Sequence, residues 1–429
     1  MKARILLLFC SLAALSPAAT AFTDTWDSLF AERLDQSATW RDARLKLRQA
    51  ELNYDQGAKP WLPSLSAGTV GQGNLSIKDG EFSGGTVRTD LSMSGLFGTD
   101  VSLQAPLVIA KDGTLEFPGP SLIASRKLFT ENTANRLGLE AALVRARSAL
   151  REAEDAVRLQ LASDTLNAVY YERLLDTNKL NLEVLERIKA ATHESSQREV
   201  ERRILQARRG MLSASSSLAA FDAVLREKAG TLYSDLQSRS LAWTAGIPDI
   251  GDSPTQSPTI RAQELDLAAA ERRKAFSLLP WLPNPTLSAQ VSYDPEQAKF
   301  NWGLGLQLSV VLLDKGERAL NSLQRKENVA LSRLRLENAQ KSLGDDVRQA
   351  RERLEILELD KSIKTLDVED ELDKVDMLKA LLADGFTNEE NLVMGQIDLS
   401  IVQLEAMKIG HDLTIQKLKL AQYFAAEQK

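Results

Sequence analysis

The sequence predicts a mainly α-helical protein with an internal two-fold repeat, in which each half combines a strand region with a long helical hairpin. The first observation is the tetrapeptide PWLP, which occurs at 60–63 and again at 280–283. In both places a helix-like stretch precedes it and a strand-like stretch follows it, as in KPWLPSLSAG and LPWLPNPTLSAQ. Because the context agrees as well as the tetrapeptide, we interpret the two copies as an internal repeat. The other two observations are heptad-like spacing and strict alternation of apolar residues.

Heptad-like spacing is clearest between about 317 and 383, a stretch with no proline and a single glycine, Gly344. Apolar residues separated by four, three, four and three positions are Leu343, Val347, Ala350, Leu354 and Leu357. An average spacing of 3.5 residues is typical of a left-handed coiled coil. About 67 helical residues would make a rod of roughly 100 Å, and such a helix needs partner helices to bury its apolar stripe.

Both long helices are predicted to turn back as hairpins. In the second half, Gly385 is a helix stop and Thr387 or Asn388 is a helix N-cap, followed by a return helix. In the first half, the sequence THESS at 192–196 separates a long helix from an arginine-rich return helix. The expected organisation is a signal peptide at 1–21, a first repeat at 22–229 with its hairpin at about 130–228, a connector at 230–258, and a second repeat at 259–429 with its hairpin at about 317–424.

Strand regions are expected between each PWLP and the following hairpin, at about 63–125 and 286–313. Alternation holds over eleven residues in the second region, where one face carries Phe300, Trp302, Leu304, Leu306, Leu308 and Val310. A sheet on a soluble core shows the same alternation, but two strands alone are marginally stable. A strand of about ten residues with one apolar face and aromatic ends is typical of a bilayer-spanning strand. The first region is longer and fits either four strands or two strands with a long outer loop.

The N-terminus predicts export from the cytoplasm. Lys2 and Arg4 precede an apolar run at 5–15 and the small residues SPAATA, which is the pattern of a signal peptide cleaved after Ala21. The run of 11 residues is shorter than the roughly 20 that a membrane-spanning helix needs. Cys10 suggests a lipid anchor as an alternative. Phe9 disfavours it, because a lipoprotein signal has a small residue directly before the cysteine. Cleavage would leave no cysteine in the chain.

Composition excludes several classes of function. The net charge is −6 with 53 basic and 59 acidic residues, so no basic face for a nucleic-acid partner is expected. The chain has two histidines, on separate predicted helices, and no cluster with metal-ligand spacing. Neither a nucleophile with a base nor a phosphate-binding loop can be recognised. We therefore predict that the protein is not an enzyme and uses no cofactor or metal.

The order of these segments resembles the TolC family of bacterial outer-membrane channel proteins over nearly the whole mature chain. The matching motifs are LPSLSAG (62–68), LPNPTLSAQ (282–290), GLGLQLSVVLLDKGER (303–318) and ADGFTNEENLVMGQIDL (383–399). The resemblance implies a homotrimer, a shared β-barrel in the outer membrane and a helical tunnel in the periplasm, with 230–258 in an equatorial belt. Trimerisation agrees with the rule that open sheet edges are not tolerated in lipid.

The resemblance also implies a function and partners. The protein would be the exit duct of a tripartite efflux pump or a type I secretion system, working with a periplasmic adaptor (membrane fusion) protein and an inner-membrane transporter. PWLP would then mark the joint between helix and membrane strand, and Trp61, Trp281 and Trp302 would lie at the membrane interface. The alternative is a periplasmic coiled-coil adaptor or spacer that never inserts in the membrane.

A gate is expected at the periplasmic tip of the hairpins. Residues aligned with the family's pore-narrowing ring are Asn391 and Met394. Because neither is acidic, no cation-binding ring is carried over, and both remain candidates for a constriction. A charge network that closes the tip would join a basic set, Arg198, Arg202 and Arg203, to an acidic set, Asp384, Glu389 and Glu390. The alternative is that these charges are the solvated faces of long helices.

Overall fold

The computed structural model describes most of the chain in a series of segments. These are residues 25–58, 63–69, 77–78, 81–82, 85–96, 99–110, 112–127, 131–191, 197–245, 247, 257–275, 285–295, 297–308 and 316–424. The signal peptide, Trp61, Trp281, both PWLP copies except Pro63, the THESS segment and positions 309–313 lie outside them. Among the described helices, none combines the length and apolarity that a membrane crossing demands.

The chain divides into two compact units, and each draws on both sequence repeats. The helical unit, as we name it, consists of Met1–Asp42, Arg151–Thr255 and Leu343–Lys429. The sheet unit consists of Ala43–Leu150 and Gln256–Ser342. The helices are α1 (Thr25–Gln36), α2 (Ala38–Ala58), α3 (Asn132–Ala191), α4 (Gln197–Ala219), α5 (Ala223–Thr244), α6 (Pro258–Ala275), α7 (Glu317–Ala383) and α8 (Glu389–Phe424). The strands are β1 (Ser64–Thr69), β2 (Ile77–Lys78), β3 (Glu81–Phe82), β4 (Gly85–Leu96), β5 (Thr99–Ile109), β6 (Leu115–Glu116), β7 (Ser121–Lys127), β8 (Thr286–Asp294) and β9 (Lys299–Gln307).

The turn between α7 and α8 follows the predicted chemistry. Gly385 has φ = 75°, a conformation that favours glycine. The amide of Phe386 donates to the carbonyl of Leu381 over 2.8 Å, and that of Gly385 donates to Leu382 over 3.1 Å. This pair of bonds is the Schellman motif that ends many helices. Asn388 then caps α8 by accepting a bond of 3.0 Å from the amide of Asn391, so the second-half hairpin is confirmed.

The first-half hairpin pairs α3 with α4. Lys189 contacts Glu201 over 2.6 Å and Arg208 contacts Glu186 over 2.8 Å, each bridging the two helices. The return helix ends at Ala219, earlier than the expected end of the hairpin at about 228. The reason is a second cap, because the carboxylate of Asp222 accepts a bond from the Leu225 amide and starts α5. Helix α5 therefore occupies the beginning of the expected connector at 230–258.

The core of the helical unit lies where α1, α3, α5 and α8 meet. Its fully buried side chains include Trp26, Leu161, Leu225, Leu232 and Leu236, which are supplied by three separate chain segments. Burial of such side chains contributes roughly 1.5–3 kcal/mol each. The same junction is linked by ion pairs, since Arg33 contacts both Asp164 of α3 and Asp222 before α5. Helix α1 is thus fixed to both neighbouring helices by apolar and charged contacts.

The sheet unit resolves how many strands the first half supplies. Six strands follow one antiparallel path in the order β1-β4-β5-β7-β8-β9, while β6 pairs with β5 and a separate ribbon joins β2 to β3. Four of the six come from the first half, as in the first of the two alternatives. The last part of the expected strand region 63–125 is divided into β6 and β7 at Gly119, which has φ = 97°. The seam between the two halves is the β7–β8 pair, with seven opposed residue pairs from Ser121↔Ser292 to Lys127↔Thr286.

Among the described residues of the helical unit, one titratable side chain is buried. His411 of α8 is 7% exposed, and its ring centroid lies 5.6 Å from that of Tyr233 in α5. Burial, together with the positive charge of Arg173, lowers the pKa of His411 from 6.5 to about 4. The imidazole is therefore neutral in the folded protein at pH 7.

This burial predicts acid sensitivity of the helical unit. Between pH 6.5 and 4 the unfolded chain binds a proton at His411 that the folded chain does not, so stability falls as the pH decreases. We expect a loss of about 1–3 kcal/mol over that range from this residue. His411→Leu should reduce the loss between pH 7 and 4.5, as measured by urea unfolding followed by circular dichroism. Equal pH dependence in the variant and the parent protein would contradict the assignment.

Candidate membrane sheet and helical tip

The strand registers assign every paired residue to one of two faces of the sheet. Directly opposed residues in an antiparallel pair project from the same face, and neighbours along a strand alternate. From β9 the register runs through Leu304↔Ala289, Ala289↔Ala124 and Ala124↔Val101. It continues through Val101↔Met93 into β4. The alternation predicted for one strand therefore extends across six strands.

One face is apolar along the whole path. Its larger side chains are Leu65, Val87, Leu91, Met93, Val101, Leu103, Leu107, Ile109, Leu122, Leu287, Val291, Tyr293, Phe300, Trp302, Leu304 and Leu306. Among the paired residues on this face Arg126 is the one with a charge. Trp302 is 76% exposed and Leu304 is 72% exposed. This is an extended apolar surface that no described part of the chain covers at β9.

The other face is polar. It carries mainly serine, threonine, glutamine, asparagine and glycine, at Ser64, Ser66, Ser92, Ser102, Gln104, Ser121, Ser125, Thr286, Ser288, Gln290, Ser292, Asn301, Gly303, Gly305 and Gln307. Charged residues also lie here, including Arg88, whose Nε is 2.8 Å from the Asp90 carboxylate on the same strand. A face of this composition is suited to contact with water.

Aromatic residues cluster where β8 and β9 turn. Trp302, which we predicted as an interface residue, lies on the apolar face opposite Val291. Two positions closer to the turn, Tyr293 and Phe300 are directly opposed, with ring centroids 5.0 Å apart. The sequence reasoning overlooked Tyr293 as an interface candidate, although it stands in phase with the apolar residues of TLSAQVSYD. Together these rings form the end of the apolar face that an interfacial belt requires.

The tip candidates occupy different environments. Met394 packs, partly buried, against an apolar cluster that includes Leu185, Ile204 and Ile397. Asn391 is exposed in the first turn of α8, where its side-chain amide donates to Thr387 over 3.0 Å. Met394 therefore contributes to helix packing, while Asn391 remains the more accessible candidate for a constriction.

The basic set at the tip is also divided. Arg203 of α4 contacts Asp398 of α8 over 2.8 Å, with both side chains about 30% exposed. Asp398 was not in the acidic set that we predicted, which consists of Asp384, Glu389 and Glu390. Arg202 pairs with Glu199 on its own helix, and Arg198 makes no ion pair with another described residue. Among the ion pairs of the described residues at the tip, the Arg203–Asp398 pair joins α4 to α8.

Solved structures with the same fold are outer-membrane channels. The open state of the MtrE outer membrane channel of Neisseria gonorrhoeae has a TM-score of 0.60 at 16% identity, covering 93% of this chain and 88% of that one. The outer membrane protein VceC of Vibrio cholerae has a TM-score of 0.59 at 12% identity, with coverages of 92% and 94%. The CmeC outer membrane channel of Campylobacter jejuni has a TM-score of 0.55 at 14% identity, with coverages of 94% and 89%.

These similarities define the class of fold. The chain has the fold of the TolC family of outer-membrane channels over about 93% of its length, which confirms the resemblance inferred from the sequence motifs. At such low identity the similarity concerns the fold. No protein-family model matches the sequence, and no curated protein matches it.

Proposed function

We propose that the protein is an outer-membrane channel that serves as the exit duct of a tripartite efflux pump or a type I secretion system. The observation that carries this proposal is the six-stranded sheet with one continuous apolar face and one polar face. A transmembrane β-barrel requires this alternation, because one face contacts lipid and the other lines the pore. The presence of channel proteins such as MtrE and CmeC among the structures with this fold supports the proposal.

Closure of the barrel requires further copies of the chain. The two outer strands of the path, β1 and β9, each have one edge without a paired strand in the described structure, and such edges are not stable in lipid. Because the path contains an even number of antiparallel strands, β9 of one copy can pair with β1 of the next in antiparallel fashion. A homotrimer with three copies of six strands would form an eighteen-stranded barrel. Barrels of about that size enclose an aqueous channel.

The periplasmic adaptor or spacer is the second candidate function. That protein would need to cover the apolar face with its own residues, because a soluble protein rarely exposes so large a patch. Phe300, Trp302 and Leu304 are all more than 70% exposed. The exposure of these three side chains therefore favours lipid contact.

Conductance tests the proposal. Protein extracted from outer membranes with detergent should run as an SDS-resistant trimer before boiling, and the trimer should give discrete conductance steps in a planar bilayer. The boiled protein should run as a monomer and give no steps. Recovery of the protein in the washed periplasmic fraction, without conductance, would contradict insertion in the membrane and favour the spacer.

We further propose that the Arg203–Asp398 pair helps to keep the tip closed. The pair joins α4 of one hairpin to α8 of the other. A partly exposed pair contributes about 0–1 kcal/mol, so three pairs in a trimer could shift the opening equilibrium roughly tenfold. Asn391, which is exposed in the first turn of α8, would narrow the closed pore.

Reversal of the charge at this pair should open the channel. Arg203→Glu places a carboxylate beside Asp398 and also beside Glu199, which lies 3.7 Å from Arg203 on the same helix. It should raise the mean single-channel conductance, whereas the exchange Arg203→Glu with Asp398→Arg should return the conductance towards the parental value. Arg202→Glu is the matched control, because Arg202 pairs with Glu199 on the same helix. Planar-bilayer recordings distinguish these outcomes. Equal effects of Arg203→Glu and Arg202→Glu, without rescue by the exchange, would show that the pair does not gate the tip.

A further inference from the structure

A polar pocket of about 240 Å³ lies between α3, α6 and α7 in the sheet unit. Three of its lining residues are arginines, namely Arg273, Arg325 and Arg335. Small residues such as Gly138 and Ala270 leave the space open, and the buried Ser332 lies in its wall. The membrane sheet and the tip described above do not include this pocket, so it requires its own explanation.

Two of the ionic groups at the pocket are already neutralised. Arg325 contacts the carboxylate of Glu131 over 2.6 Å and donates to the backbone carbonyl of Arg273 over 2.9 Å, so its guanidinium is held in place. Asp266, the carboxylate of the pocket, pairs with Arg145. Neither group needs a ligand to balance its charge.

Two arginines of the pocket have no carboxylate partner among the described residues. Arg273 donates to the neutral side-chain oxygen of Asn135 over 3.2 Å. Arg335 makes no hydrogen bond or ion pair with another described residue. A Cβ atom at Gly138 would lie 3.9 Å from a terminal nitrogen of Arg273, an ordinary contact distance, so the guanidinium lies alongside α3 at this position. The pocket is therefore lined by three guanidinium groups and one carboxylate, and the two arginines without a described carboxylate partner, Arg273 and Arg335, are exposed to solvent.

Guanidinium groups that converge on one cavity match the chemistry of a phosphate group. Arginine donates two parallel bonds to phosphate oxygens in a planar fork, and the hydroxyl of Ser332 offers one more donor. The sheet unit that contains the pocket is also positively charged. Its sequence contains 24 basic and 19 acidic residues, a net of +5, although the whole chain has a net of −6.

The pocket is close in sequence to the membrane sheet. Glu131 follows the end of β7 by four residues, and Arg273 precedes β8 by 13 residues. Basic pockets between transmembrane helices are known to bind lipid head groups, and a basic pocket near the candidate membrane strands offers the same chemistry. A phosphate group could therefore reach the pocket either on a phospholipid or as a free ion.

We propose that this pocket binds a phosphate group through Arg273 and Arg335, with Arg325 as the fixed third guanidinium. The phosphate site follows from the pocket alone, whereas a phospholipid as its source rests on the proposed membrane insertion. Binding would tie α3, α6 and α7 together beside the sheet.

The test uses the full-length trimer in detergent after removal of bound lipid. Isothermal titration with inorganic phosphate and with a short-chain phosphatidylglycerol should show saturable binding of at least one probe. The double variant Arg273→Gln and Arg335→Gln should weaken it at least tenfold. Arg333→Gln is the matched control, because Arg333 lies two positions from Arg335 and pairs with Glu271. This control should bind as the parent does.

The outcomes test three things separately: whether the pocket binds phosphate, whether the phosphate comes from a phospholipid or a free ion, and whether the protein is a channel. Binding of the phospholipid alone identifies a head-group site, and binding of inorganic phosphate with equal or higher affinity identifies a free-ion site. A rise in melting temperature with phosphate but not with chloride at equal ionic strength supports the site even where the double variant assembles poorly. Unchanged binding in the double variant, or equal stabilisation by chloride and phosphate, would overturn the proposal. Trimer formation and conductance, measured on the same samples, report separately on the proposed function.

Discussion

Leu304→Arg is expected to abolish assembly of the protein in the outer membrane. Leu304 lies in the middle of β9 on the apolar face and is 72% exposed. An arginine on the lipid face near the bilayer midplane costs about 2–4 kcal/mol. In a trimer the cost arises three times, which is comparable with the total stability of many folded domains. Heat-dependent electrophoretic mobility of the membrane fraction should therefore show little or no SDS-resistant trimer.

The neighbouring residue supplies the control. Gly303 lies on the polar face of the same strand, and a Cβ atom there would meet no atom within 4 Å. Gly303→Arg places the same charge one position away but on the polar face, which lines the pore in the proposed barrel and where substitutions change selectivity and not insertion. The trimer should form, with altered conductance. Equal loss of trimer in both variants, or normal assembly of Leu304→Arg, would contradict the assignment of the two faces.

Gly119→Ala is expected to disrupt the seam between the two halves of the sheet. Gly119 has φ = 97°, and a Cβ atom there would overlap the carbonyl oxygen of Tyr293 in β8. The next residue accepts a bond of 3.0 Å from the Tyr293 amide, so the backbone cannot move away without losing this contact. The left-handed conformation costs about 1–2 kcal/mol and the overlap about 1–3 kcal/mol. We expect a loss of about 3 kcal/mol and a marked fall in the temperature at which the trimer dissociates in SDS.

Gly113→Ala is the matched control for that substitution. Gly113 also has a positive φ, 83°, but a Cβ atom there would meet nothing within 4 Å. This variant should pay only the conformational cost of about 1–2 kcal/mol. If both variants dissociate at the same temperature, the close approach of Gly119 to β8 does not matter for the seam.

The sequence predicted those helix ends and strand faces that depend only on neighbouring residues. Gly385 and Asn388 specify the end of one helix and the cap of the next, so the second hairpin could be read from a few residues. The alternation in β9 likewise assigned Leu304 and Gly303 to opposite faces before any partner strand was known. In both cases the residues that determine the feature lie within a few positions of it in the sequence.

Other features depend on contacts distant in sequence. The region 63–125 fitted two or four strands because its glycine-containing turns are compatible with either number, and the choice follows from the β4–β5 register. Asp222 was one acidic residue among many until its position after α4 showed it as a cap. Arg203 could have paired with any of several nearby carboxylates, and the approach of α4 to α8 selected Asp398.

The central claim, that copies of the chain close one barrel through β1 and β9, can be tested by disulfide formation between copies. Cys10 is the single cysteine of the sequence and lies in the expected signal peptide. Disulfides in the mature protein would therefore form only between introduced cysteines. Ser66→Cys on the polar face of β1 should be combined in turn with Gly303→Cys, Gly305→Cys and Gln307→Cys on the polar face of β9.

Oxidised outer membranes should then contain covalent dimers and trimers for at least one of these pairs, because Cβ atoms within about 3.5–4.5 Å form disulfides. Ser66→Cys with Leu304→Cys, which lie on opposite faces, should give monomers. The absence of covalent oligomers for every same-face pair, in protein that fractionates with the outer membrane, would show that β1 and β9 do not join neighbouring copies and would contradict the barrel.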